Sequence, residues 1–144
     1  MTTLHREPEV RRIYHDDAGG AGYRVLVDRL WPRGIKTADA HLDEWLKSAA
    51  PSAELRRWYG HDPERFTEFA RRYRAELRRP PASDAVDHLL RVGSIRSLVL
   101  LTATGDVEHS GAWVLRDHLA SCWWRSRSFV DAEDDGQSWR PHPK

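Results

Sequence analysis

Three short segments of this chain hold residue types that could do chemistry. The first is Val25-Leu26-Val27-Asp28-Arg29-Leu30-Trp31-Pro32-Arg33-Gly34, where an apolar run ends in a carboxylate, two guanidiniums, an indole, a proline and a glycine. Gly34 permits a backbone turn that directs N–H groups outward, and Arg33 and Lys36 add positive charge beside it. Arginine offers an anion a planar fork and lysine a point charge, so a phosphate or carboxylate is the expected ligand. Asp28 and Arg29 alternate across a strand and cannot pair simply with each other. Each needs a partner of its own, because an unpaired buried charge is costly. Two readings stay open for them: they serve a ligand, or Arg29 ties a helical block to the sheet through a buried ion pair while Asp28 caps a helix.

The second segment is Thr102-Ala103-Thr104-Gly105-Asp106-Val107-Glu108-His109. Hydroxyls, a glycine and a helix start form another seat for an anion, with Thr104 and Asp106 as binding candidates. His109 in the first helical turn is expected to be neutral there. It is a candidate general base or metal ligand, with an ordinary hydrogen bond to a loop carbonyl as the alternative. The third segment, Tyr59-Gly60-His61-Asp62-Pro63, sets His61 beside a carboxylate. Asp28, His61 and His109 are therefore the candidate proton-handling residues, and Arg29, Trp31, Arg33, Lys36, Thr104 and Asp106 the candidate binding residues. None of the eight histidines follows zinc-ligand spacing. No metal is predicted, and no cofactor is named by any motif.

Positioning these segments requires a sheet. Tyr23–Leu30 reads as a strand buried on both faces and Ser97–Thr102 as a second, with Val10–Tyr14 a shorter one. Between them, Leu42, Trp45, Leu46 and Ala49 recur at helical spacing. Ser52 starts a helix that Gly60 stops, and Asp62-Pro63 starts another carrying Phe66, Phe69, Tyr73 and Leu77. Ser83–Val92 and about Val107–Ala120, capped by Asp106, complete the helices, and Ser126–Val130 is a candidate strand. Strands separated by helical crossovers predict an α/β fold: a small, mainly parallel sheet flanked by helices, a layered Rossmann-like sandwich. Ligands of such sheets bind beyond the carboxyl ends of the strands, where segments 31–36 and 103–109 would both lie.

Composition narrows the class. At 144 residues the chain is expected to be a single domain, 1–144, with 121–144 a divergent tail. A formal charge of +1 gives no general attraction to nucleic acid or membrane. The arginines at 71, 72, 74, 78 and 79 read as a solvated helix face, because acids are interleaved and no nucleic-acid motif accompanies them. Cys122, the single cysteine, excludes an internal disulfide. The longest apolar run, Leu98–Leu101, is too short to span a bilayer, and no secretory signal is legible. The chain reads as cytoplasmic; its oligomeric state is not legible.

Tyr23 to Gly34, Trp45-Leu46-Lys47, Ala50-Pro51-Ser52, Leu55-Arg56, Trp58 to Pro63 and Phe69 to Leu77 together resemble the YeaO-like family, bacterial domains of unknown function (domain of unknown function 488). The resemblance covers about residues 10–120 and implies a compact cytoplasmic α/β domain without implying a particular activity. The second half departs from the family pattern, which has Tyr at the place of Thr102 and Asn-His at Ser110-Gly111. Asp106, Glu108 and His109 remain. Two functions are carried forward: a binding domain or enzyme for a small anionic metabolite, and a non-catalytic interaction domain using Trp123, Trp124 and Trp139.

Overall fold

Leu98-Val99-Leu100-Leu101-Thr102 is apolar enough to be buried on both sides only as an inner strand. The computed structural model, which describes residues 7–15 and 22–133, places it there with every residue buried. Among these residues four parallel strands, β1 (Glu9–Arg12), β2 (Tyr23–Leu26), β3 (Glu44–Trp45) and β4 (Leu98–Thr102), lie in the order β1-β4-β2-β3. Val25 is in register with Leu100 and Leu26 with Leu101. Alternation then sends Val25, Val27, Leu98 and Leu100 to one face and Leu26, Val99 and Leu101 to the other.

The first face is covered by four helices: α2 (Ala53–Tyr59), α3 (Phe66–Leu77), α4 (Ala82–Gly93) and α5 (Gly111–Glu133), which follow the four-residue α1 (Thr37–Ala40). Ser52 caps α2 by accepting the Leu55 N–H, and its own N–H and hydroxyl donate to Glu76 of α3. Gly60 ends α2 in the left-handed region at φ 55°. Asp62 accepts the Glu64 N–H and begins a 3-10 turn, Pro63–Arg65, that runs into α3. The second face is covered differently. Trp31, Ile35, Leu42 and Trp45 pack there, with the two indoles edge to face at 5.1 Å. The chain is thus an α/β protein whose longer helices share one side of a parallel sheet.

Several local expectations are corrected. The first strand stops at Arg12 and Ile13–His15 is a 3-10 turn. β2 stops at Leu26, not Leu30, because Asp28 turns onto the end of β4; Leu30 is 60% exposed. Leu42, Trp45, Leu46 and Ala49 do not form one helix. The Asp43 and Leu46 amides donate to Arg24 and Leu26 oxygens, drawing this stretch into the edge strand β3. Asp106 makes no side-chain cap. Ser110 caps α5 instead, accepting the Trp113 N–H at 3.2 Å. Residues 126–130 are helical, the continuation of α5, not a strand. Trp123 is buried beneath Gly93, where a Cβ would collide with the indole ring. The Trp124 side chain and Trp139 lie outside the described residues. Among the described residues, no helix is long and apolar enough to cross a membrane.

Candidate functional site

β2 and β4 are neighbours, so the segments that leave their carboxyl ends meet. Asp28 joins them. Its Oδ1 accepts the Thr102 hydroxyl at 2.8 Å and its Oδ2 the Ala103 N–H at 2.8 Å, while its carbonyl accepts the Trp45 indole N–H at 2.8 Å. Thr102 Oγ1 in turn accepts the Thr104 N–H. Arg29 reaches the other way. Its Nε and Nη2 donate to the Pro51 carbonyl at 3.1 and 3.0 Å, tying this loop to the chain before α2. Both residues thus have separate partners, but neither the buried ion pair nor the helix cap is what forms. The turn beyond them is held by Trp31, whose indole donates to Ile35 O, and by Tyr14, whose hydroxyl donates to Arg33 O. Gly34 sits at φ 82°, a conformation that favours glycine.

A cavity of about 640 Å³ opens between these segments. Of the sequence candidates, Asp28, Arg29, Trp31, Arg33, His61, Thr104 and Asp106 line it. Lys36 and His109 do not. Lys36 precedes α1 in extended backbone. His109 packs edge-on against Phe66 at 5.0 Å and its Nδ1 bonds Asp106 at 2.8 Å, in a 3-10 turn ahead of α5 and not within its first turn. The wall also holds residues that are not among the sequence candidates, Arg56, Tyr59 and Phe69 among them. Arg56 and Tyr59 stand three apart on α2 and share a face, and that spacing was the available signal. Phe69 stacks on Tyr59 with centroids 4.1 Å apart, so its place in the wall follows from tertiary packing. Gly111 also lines the cavity, and a Cβ there would stand 3.3 Å from Pro51.

The charges are unevenly placed. Arg33 and Arg56 are exposed and form no ion pair with any described residue. Asp28 is half-buried at the strand ends. Burial raises its pKa; the Ala103 amide, the Thr102 hydroxyl and the Arg56 and His61 side chains oppose the rise without cancelling it. Tyr59 is pushed up to about 12, first by burial and then by Asp106 and Asp62, so its hydroxyl stays protonated and donates to His109 O at 2.6 Å. Among the described residues no group of three His, Cys, Asp or Glu side chains could hold a metal.

A carboxyl with a raised folded-state pKa holds its proton more tightly in the fold than in the unfolded chain. Its contribution to stability is full below the ordinary aspartate value, about 3.9, and declines as pH rises through the higher folded value. Asp28 is accordingly expected to titrate above the usual aspartate range in carboxyl ¹³C spectra. Titration at or below that range would contradict its environment.

A family model described as the inactive DUF488-N3 subclade matches residues 8–138. The chain belongs to that subclade. It is similar to the uncharacterized protein Rv3073c of Mycobacterium tuberculosis strain H37Rv, with 46% identity over 116 residues, covering 79% of this chain and 96% of that protein. The uncharacterized protein Mb3100c of Mycobacterium bovis matches to the same extent. YeaO of Escherichia coli K12 is 37% identical over 113 residues, covering 78% of this chain and 96% of its own. No solved structure is significantly similar to it. The chain is therefore YeaO-like.

Proposed function

We propose that the protein binds a small anionic molecule, a phosphate or carboxylate, in the cavity at the carboxyl ends of β2 and β4, and that it binds without turning it over. The observation that carries the reading is the pair of guanidiniums, Arg33 and Arg56, lining the cavity and forming no salt bridge with a described residue, with Asp28 acting on Arg56 only from beyond salt-bridge distance. The volume of about 640 Å³ suits a metabolite-sized ligand. Binding without chemistry is favoured by two of the groups that could move a proton: His109 faces Asp106 outside the cavity wall, and the Tyr59 hydroxyl is committed to a backbone carbonyl, which leaves His61 as the imidazole in the wall. The description of the family as inactive points the same way. The interaction-domain alternative is weakened, because Trp123 is buried within the protein.

Calorimetric titration with inorganic phosphate and with simple carboxylates tests this. Hydrogen bonds to charged groups contribute about 1.5–3 kcal/mol each, so Arg33→Ala or Arg56→Ala should weaken binding about 10- to 100-fold. Unchanged affinity in both variants would overturn the reading. Hydrolysis of a phosphate ester that these variants abolish would overturn its non-catalytic part.

A further inference from the structure

We propose that the ligand of this cavity is amphoteric, with an anionic group held by Arg33 and Arg56 and an ammonium or amino group held by the Asp28 carboxylate. The inference rests on the anion-binding reading and adds the second half of the ligand's chemistry. The cavity carries charge of both signs: the guanidiniums of the exposed Arg33 and Arg56, and the carboxyl of Asp28, half-buried where the two central strands end and within electrostatic reach of Arg56 and His61.

Asp28 receives only neutral donors, the Thr102 hydroxyl and the Ala103 amide, one on each oxygen. An ionised carboxylate has about four lone-pair sites, so acceptor capacity is left over. The adjacent guanidinium does not use it: Arg29 commits Nε and Nη2 to the Pro51 carbonyl. A ligand that was anionic throughout would bring like charge against this carboxylate, which is strongly disfavoured in a partly desolvated site. A ligand with an N–H donor at its inner end turns the same carboxylate into an anchor. Val27, Phe69 and Ala112 also line the cavity and suit a hydrocarbon or ring joining the ligand's two polar groups. The expected class is a phosphorylated or carboxylated molecule bearing a primary amine or an amino-substituted ring.

The probes are a short homologous series of ω-aminoalkyl phosphates and the alkyl phosphates of matching length, titrated calorimetrically into the full chain. The aminated member is expected to bind about tenfold more tightly at one or more lengths, the worth of a charge-assisted hydrogen bond. Asp28→Asn should abolish or invert the preference. It removes the anchor for the amine and the repulsion felt by the plain anion, so the aminated probe weakens about tenfold while the alkyl phosphate holds or gains. Asn can keep both native contacts, accepting the Ala103 N–H and donating to a rotated Thr102 hydroxyl. The wild-type comparison needs no variant and carries the test even if the D28N chain does not fold. Equal binding of aminated and plain probes at every length overturns the proposal and leaves the anion-binding reading standing. Failure of every probe to bind overturns both.

Discussion

Asp28→Ala should lower the stability of the fold by about 2–4 kcal/mol. The carboxylate accepts one bond from Thr102 and one from Ala103, and these join the ends of the two central strands. A hydrogen bond to a charged group contributes about 1.5–3 kcal/mol, and truncation leaves both donors without their acceptor. The expectation lies below the sum of two such bonds because burial already penalises this carboxylate, as its raised pKa reflects, and deletion recovers part of that penalty. For a chain of this size the loss corresponds to roughly 6–12 °C in Tm. Asp28→Asn, which preserves both contacts, should cost less than about 1.5 kcal/mol. Urea denaturation of the two variants side by side checks this. Equal losses would mean that the strand-end bridge is not what Asp28 contributes.

Phe69→Ala is expected to cost about 3–5 kcal/mol. Phe69 is 2% exposed, stacks on Tyr59 at 4.1 Å with an interplanar angle of 12°, and lies 5.8 Å from the Tyr73 ring. Truncation removes apolar contact and opens a void beside a cavity that already exists, so water can enter where the ring stood. Phe69→Leu keeps most of the volume and should cost roughly half as much. Because neither change touches Arg33 or Arg56, the Leu variant should keep its affinity for phosphate. Denaturant titration provides the stability values. A loss under about 1 kcal/mol for Ala would contradict the stacked packing of α2 on α3.

The sequence was most readable where local chemistry and tertiary structure agree. Leu98–Thr102 could only be an inner strand, and Ser52, Gly60 and Asp62-Pro63 mark helix boundaries by capping rules that do not depend on the rest of the fold. Tertiary structure overrode local pattern elsewhere. Leu42, Trp45 and Leu46 have helical spacing, but the free edge of β2 offers backbone partners that extend this stretch. The two indoles then cover a face that no long helix covers. Asp106 looked like a cap because Asp is a good one, yet Ser110, four residues on, stands at the start of α5 and does the capping.

The candidate site was readable in its larger half. Asp28, Arg33 and Thr104 gather at one cavity because parallel strands present their carboxyl ends together. Arg56 was not singled out, because an exposed arginine on a helix carries no mark of what faces it. His109 reads from sequence as a first-turn residue of the helix that follows β4, and so as part of the site. A three-residue turn is enough to direct its ring onto Phe66 instead.

Amide and arginine Nε chemical-shift mapping during titration with inorganic phosphate tests the central claim most directly. The expected result is a saturable response confined to Arg33, Gly34, Arg56 and the amides of Ala103, Thr104 and Gly105. A response centred instead on Arg71, Arg72 and Arg74 of α3, or none at any phosphate concentration, would contradict the claim that two distant segments build one anion site.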